Sequence, residues 1–259
     1  MSNLFWWKGK NVGDNVTPYL YRKMTGNSPR FYDLRAPRST HHEQLDNIVA
    51  TGSILEYANA QSTVWGAGFI SARSRVPSSI KNVLAVRGPL TREKLLKGGF
   101  PSCPENYGDP GLLVSQFYRS RPSARVEYGL IPHQVDHSNP VWQRLRDMGS
   151  CKVLDVSTDN VEEFLASMLE CEVIVSSSLH GIVFADSFQI PNVAINLNTK
   201  VQGNGFKFMD YLSSVGRSLD YLISDDSGIE TQISRLLDRY TAVNFNSNDL
   251  LDVCPWINS

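Results

Sequence analysis

Short apolar runs alternate, along nearly the whole chain, with stretches in which apolar side chains recur at helical spacing. The first kind predicts buried strands and the second amphipathic helices. Phe5-Trp6-Trp7 is read as part of a first strand, in preference to a surface patch. Residues 15–24, with Pro18 near the start and Gly26 past the end, read as a helix. Ile48-Val49-Ala50 and residues 63–68 read as strands ending in glycine turns, and residues 82–86 as another strand. A helix over 89–97 closes at Gly98-Gly99, and Leu112-Leu113 follow the turn Gly108-Asp109-Pro110-Gly111. The polar stretch 118–125, with Pro122 inside it, has the composition of a linker. The alternation then restarts. A strand is expected over 126–131, a helix over 141–148, a strand over 152–156, and a helix through Glu170 capped by Asp159 or Asn160. A strand over 193–197 and an amphipathic helix over 229–240 follow the segment around His180.

That segment, Val173-Ile174-Val175-Ser176-Ser177-Ser178-Leu179-His180-Gly181-Ile182-Val183-Phe184-Ala185, carries the most information. A buried strand breaks into serines and opens a helix from about Gly181, which Pro191 ends. Such a turn leaves backbone N–H groups unpaired at a helix N-terminus, where an anion is favoured. His180 then sets an acid/base group beside a site for phosphate or carboxylate. A turn histidine with its hydrogen bonds satisfied explains the same residue equally well.

Strands alternating with helices imply parallel sheets covered on both faces, and the restart implies two such units, over 1–120 and 126–245, with a tail over 246–259. Ligands of such sheets sit at the carboxyl ends of strands. Asn11 to Asn15, Arg87, Asp109 and Ser176 to Gly181 all follow strand-like runs.

The composition narrows the choice. A chain of 259 residues with 41% hydrophobic content can bury a large core. The 25 basic and 26 acidic residues nearly cancel, so no global field holds a nucleic acid or a membrane surface. Cys103, Cys151, Cys171 and Cys254 are far apart and form neither a zinc pattern nor a disulfide framework, which fits reduced thiols in a cytoplasmic protein. No run of about 18 apolar residues predicts a membrane span, and the first residues turn polar too soon for a signal peptide.

Several residues have chemistry to offer. Gly13 permits close approach of a ligand to backbone. Asp14 has the chemistry of a base toward a sugar hydroxyl, or it caps the helix, as Asn15 would. Arg87 at a strand end can fork onto carboxylate or phosphate, or is a surface arginine. Tyr107-Gly108-Asp109-Pro110 reads first as a turn. His133, Asp136 and His137 share a loop, yet their spacing is a poor metal pattern, and His41-His42 is poorer. No metal site is expected.

Taken together, Asn11-Val12-Gly13-Asp14-Asn15, Val86-Arg87-Gly88-Pro89-Leu90-Thr91, Gly108-Asp109-Pro110, Ile131-Pro132-His133 and Ser176-Ser177-Ser178-Leu179-His180-Gly181 resemble the polysaccharide pyruvyl transferase family. Phe206-Lys207-Phe208-Met209-Asp210-Tyr211 adds a weaker piece. Each piece is short, but the order is the family's and spans most of the chain. The resemblance implies an α/β fold of two Rossmann-like domains facing across a cleft, similar to GT-B glycosyltransferases, with the acceptor on the N-terminal side and the donor on the C-terminal side. It implies transfer of pyruvate from phosphoenolpyruvate to a sugar diol of an exopolysaccharide or cell-surface glycan as a cyclic ketal, with release of phosphate. Phosphoenolpyruvate is then a donor substrate, and no cofactor is expected. The acceptor is a glycan, with a lipid-linked oligosaccharide as one form, which would bring a cytoplasmic protein to the inner face of the membrane.

Within the resemblance His180 and Asp14 are the expected catalytic pair. Arg87, Ser176, Ser177, Ser178, Leu179, Gly181, Gly13, Asn15, Asp109, His133 and Lys207 are the expected substrate-binding residues. Many members carry Arg before the Leu-His pair, where this chain has Ser178. The donor anion then relies on Arg87 with helix N–H groups, or on another cation such as Lys207 or Arg217. A nucleotide-sugar glycosyltransferase of GT-B type is the alternative enzyme, and a non-catalytic glycan-binding relative the alternative outside enzymes. Acceptor sugar, ketal stereochemistry and oligomeric state are not written in the sequence.

Overall fold

The computed structural model describes residues 2–36, 45–120, 122, 125–196, 203–224 and 227–257. His41-His42 and the last residue of the strand expected over 193–197 lie outside them. Among the described residues there are two five-stranded sheets, and every strand pair is parallel. The first comprises β1 (Asn3–Phe5), β2 (Arg30–Phe31), β3 (Asn47–Val49), β4 (Ser62–Trp65) and β5 (Asn82–Ala85), in the order β2-β1-β3-β4-β5. The second comprises β6 (Val126–Ile131), β7 (Cys151–Val153), β8 (Cys171–Ser176), β9 (Asn192–Ile195) and β10 (Leu222–Ile223), in the order β10-β9-β8-β6-β7. Read from its other edge, the second sheet repeats the order of the first.

The strands read as apolar runs because both faces of each sheet are covered. Successive side chains leave a strand on opposite faces, and three apolar clusters collect them. Phe5, Val49 and Val64 enter a cluster on the outer face of the first sheet, with Leu95 from α2 (Pro89–Lys97). Leu130, Val175 and Val193 enter one on the outer face of the second, with helices α4 (Val141–Arg146) and α8 (Ile229–Leu237). Leu4, Ile48 and Trp65 share a third cluster with Ile131 and Ile174, so the two sheets are joined by a common core. That core is filled by α1 (Val12–Thr25), α3 (Val114–Phe117), α5 (Val161–Leu169) and α6 (Leu179–Ser187). The segment beyond residue 245, including the short helix α9 (Asn248–Leu251), returns to the first sheet. Trp65 Nε1 donates to Leu250 O at 2.9 Å, and Trp256 packs edge-on against Trp65 at 4.8 Å.

Three local differences from the expected elements matter for the site. Helix α1 begins at Val12, a turn early, because Asn11 caps it by accepting from Gly13 N at 2.9 Å. Neither Asp14 nor Asn15 is the cap, and Pro18 lies inside the helix, where it leaves the Asp14 carbonyl without its helical donor. Helix α6 begins at Leu179, so His180 occupies its first turn rather than the turn before it. Residues 206–214, read only as a motif, form α7 (Phe206–Ser214), entered through Gly205 at φ 78°. Among the described residues no helix is long and apolar enough to cross a membrane.

Candidate active site

In this strand order the chain leaves β1 and β3, and likewise β6 and β8, toward opposite faces of their sheets. A crevice therefore opens at the carboxyl ends of each pair, the place where open α/β sheets bind ligands. The structure brings the two crevices together. A pocket of about 390 Å³ takes Trp7, Asn11 and Asp14 from the segment after β1, and Ser53 and Tyr57 from the segment after β3. From the other sheet it takes His133 after β6, Ser178, Leu179 and His180 after β8, and Lys207 on α7.

The serines divide the work of the β8–α6 turn. Ser176 Oγ donates to Ser178 O at 2.8 Å and accepts from Ser178 N at 3.0 Å, which closes the turn. A side chain at Gly181 would strike Ser176 Oγ at 2.3 Å, so that glycine is required by the turn. Ser177 Oγ donates to Asp136 Oδ1 at 2.9 Å and accepts from His133 N at 2.8 Å, tying the β6 loop to the β8 loop. Ser178 Oγ makes no hydrogen bond among the described residues and faces the pocket. The N–H groups of Leu179 and His180, at the start of α6, donate to no acceptor among the described residues. Two amides and a hydroxyl thus stand at the positive end of a helix dipole on the pocket wall.

The His180 ring is fixed on three sides. Phe184, one turn on, lies 5.7 Å away between centroids. Gly13 presents bare backbone to the ring, and a Cβ there would come within 2.0 Å of Nδ1. Nε2 stands 3.5 Å from Asp109 Oδ2, and both atoms are sealed from solvent with no other partner among the described residues. The second oxygen of Asp109 accepts from Gly111 N at 2.9 Å, holding the carboxylate in place. A proton on Nε2 has only Asp109 to meet, which leaves Nδ1 as the nitrogen free to exchange one. Asp109 itself is fully buried and does not reach the pocket.

Burial shapes the charges around the pocket. The Asp14 carboxyl is pushed up to about 6 by burial, against the opposing pull of His180 and Lys207. Lys207 is lowered to about 8 by burial and by the Arg87 charge, with Asp136 and Asp14 acting the other way. Its ammonium stands 5.4 Å over the Phe208 ring and makes no hydrogen bond among the described residues. His133 is lowered to about 4 by burial and by Lys207, so it is neutral near pH 7. Among the described residues that line the pocket, Lys207 is the one lysine or arginine.

Other expected residues lie elsewhere. Arg87 is buried behind the wall, bonded to Asp210 Oδ2 at 3.0 Å, Phe69 O at 2.6 Å and Ser53 Oγ at 2.7 Å. Its hydrogen bond to Ser53 Oγ links it to the pocket lining. Arg217 is paired with Asp186 at 2.7 Å, away from the pocket. Asn15 turns to the Gly9 carbonyl at 2.8 Å and so braces the loop that precedes α1. Ser53, Trp7 and Tyr57 were not anticipated as pocket residues. Trp7 was read as part of a strand, and Gly52-Ser53 follows an apolar run with only a glycine to mark it. Among the described residues no group of three or more His, Cys, Asp or Glu side chains is placed to hold a metal ion.

The chain is similar to known proteins over most of its length. The family model described as polysaccharide pyruvyl transferase matches residues 3–199, which include every pocket residue except Lys207. The chain is 32% identical over 218 residues to the uncharacterized protein L143 of Acanthamoeba polyphaga mimivirus, covering 82% of this chain and 74% of that protein. It is 24% identical over 221 residues to the succinoglycan biosynthesis protein ExoV of Rhizobium meliloti (strain 1021), covering 82% of this chain and 64% of that protein.

Proposed function

The chain belongs to the polysaccharide pyruvyl transferase family, and we propose that it moves pyruvate from phosphoenolpyruvate onto two hydroxyls of a glycan as a cyclic ketal. In this reading the two sheets are Rossmann-like units that face each other across a cleft, in the manner of GT-B glycosyltransferases. The similarity to a succinoglycan biosynthesis protein favours a surface polysaccharide or its precursor as the acceptor. The observation that carries the reading is the joint presence, in one pocket, of an anion cradle, an oriented histidine and a carboxyl tuned to about 6.

The donor carries a carboxylate and a phosphate. Lys207 Nζ, the Leu179 and His180 amides and Ser178 Oγ supply the charge and the hydrogen bonds to hold them. The chain thereby does without the arginine that many members place at the position of Ser178. His180, held by Asp109, gives a proton to C3 of the enol as C2 becomes electrophilic. Asp14, ionised above pH about 6, takes the proton of the first attacking hydroxyl. The hydroxyl oxygen bonds to C2, the C2–O bond to phosphate breaks, and the second hydroxyl closes the ketal. Two hydroxyl protons are released; one balances the proton gained at C3 and the other leaves with phosphate. The scheme asks for no metal or other cofactor.

The test is to incubate the protein with phosphoenolpyruvate and a panel of surface-glycan oligosaccharides. Phosphate release must match, mole for mole, the appearance of an acid-labile pyruvate ketal on the glycan. Release of a nucleoside diphosphate from a sugar nucleotide, with no turnover of phosphoenolpyruvate, would replace this reading by the glycosyltransferase one.

A further inference from the structure

Tyr57 lines more than one pocket. That residue is a wall common to the first pocket and to a second of about 380 Å³, a volume within the range of small-ligand sites. The second pocket runs from Asp33 and Leu34, beyond β2, past Ala58 and Gln61 to Arg75 and Pro77, ahead of β5. Trp7 stands beside Tyr57 on the side of the first pocket. It lines the first pocket, is 40% exposed and lies 6.2 Å from Tyr57 at a tilt of 46°. Its other contact is the Arg35 guanidinium, 4.2 Å over the ring and held by both oxygens of Asp33 at 2.8 Å. Trp7 thus presents a flat apolar face, open to water, at the first pocket.

The lining identifies the class of partner. Asp33 is held by Arg35, Arg75 donates to the Glu56 carbonyl at 3.4 Å, Gln61 offers both an acceptor and a donor, and Ser78 and Ser79 add hydroxyls. The Gln61 carboxamide makes no hydrogen bond among the described residues. Leu34, Ala58 and Pro77 supply an apolar floor. A neutral chain rich in hydroxyls, with flat C–H faces that stack on aromatic rings, matches both the polar and the apolar parts.

We propose that the second pocket is an extended acceptor subsite, which holds sugar units further along the glycan whose diol sits in the first pocket, with Trp7 and Tyr57 as the platform between them. The proposal rests on the transferase reading of the first pocket and adds where the sugar units beyond the reacting one are held. It assigns Gln61 and Arg75 to recognition of the distal units, and Trp7 to stacking.

Neutral gluco- and galacto-oligosaccharides, from monosaccharide to hexasaccharide, are titrated into the full chain and into Gln61→Ala and Arg75→Ala. Binding is followed by calorimetry, and kcat/KM is measured with phosphoenolpyruvate. Affinity is expected to rise by roughly tenfold or more with chain length in the unaltered protein, and each variant is expected to lose most of that rise, at the scale of one good hydrogen bond. Equal thermal midpoints establish that both variants are folded. Length-dependent binding that the variants lose supports the subsite even if no phosphoenolpyruvate is consumed, and in that case only the transfer reading fails. Affinity that ignores chain length, length dependence that survives both substitutions, or no binding of any oligosaccharide overturns the subsite.

Discussion

Arg87 and Asp210 form an ion pair across 123 residues of chain, 3.0 Å apart, with neither side chain exposed. The Asp210 carboxylate also accepts from Thr91 N at 2.9 Å and Thr91 Oγ1 at 2.7 Å, in the first turn of α2. Helix α7, which follows the second sheet in sequence, is thereby fastened to the first, and Lys207 sits one turn before the fastening. Bare backbone makes room for it: a Cβ at Gly88 would come within 2.0 Å of the Asp210 carbonyl, and one at Gly68 within 2.5 Å of Arg87 Cζ.

Removing one partner of such a pair strands a buried charge, at a cost of about 3–5 kcal/mol. Arg87→Ala is therefore expected to lower stability by that order in chemical denaturation, with Arg87→Lys falling between. A variant of unchanged stability whose defect is a raised phosphoenolpyruvate KM would instead put Arg87 in contact with the donor.

Asp109→Asn retains an oxygen for Gly111 N but presents a neutral amide to His180 Nε2. Turnover is expected to fall by about a hundredfold or more while far-ultraviolet circular dichroism stays unchanged. His180→Ala is expected to fall at least as far, and the double variant no further than His180→Ala, because the two side chains act as one unit. Additive losses in the double variant would separate them.

Gly13→Ala tests the seat of the ring. The added methyl occupies the place of His180 Nδ1, so the imidazole must turn away. Loss of turnover in a folded protein, with the His180 ring resonances shifted, is the expected result. Activity near that of the unaltered protein would show that the ring is not held by Gly13.

The pH profile reads the two shifted groups. Asp14 must be ionised to act, so kcat/KM rises as pH passes about 6; Lys207 must be charged, so it falls as pH passes about 8. Lys207→Met should raise the phosphoenolpyruvate KM. The raised Asp14 value also makes a stability prediction. The folded state holds the proton more tightly than the unfolded one, so the cost is absent below about pH 3.8 and full above about 6. Asp14→Asn should therefore be inactive yet more stable at pH 7, with the difference vanishing near pH 4. Equal stability at both values would contradict the burial of the carboxyl.

The sheets were legible because their strands are short apolar runs set between helical repeats. Helix α2 was readable to the residue, with Pro89 opening it and Gly98 closing it. The short edge strands β2 and β10 carry too few residues to show a period. Helix α7 was hidden because the charged Lys207 and Asp210 belong to its buried set and interrupt its apolar pattern. The start of α1 was misplaced because three successive polar or charged candidates, Asn11, Asp14 and Asn15, can each cap a helix, and only geometry chooses among them. At the site, sequence brought out His180, Asp14 and the serine turn, since each stands at a strand-to-helix junction. It could not tell that Arg87 is consumed by Asp210 while Lys207 is left to the pocket, because that choice depends on a contact between residues far apart in the chain.

The central claim is that a protein acid protonates C3 of phosphoenolpyruvate as its pyruvyl group passes to a glycan. The most direct measurement is mass spectrometry of the ketal formed in deuterium oxide. The account predicts a glycan ketal whose methyl group carries one deuterium, formed together with phosphate and lost in His180→Ala. A ketal without deuterium, or phosphoenolpyruvate left intact beside a competent acceptor, would contradict it.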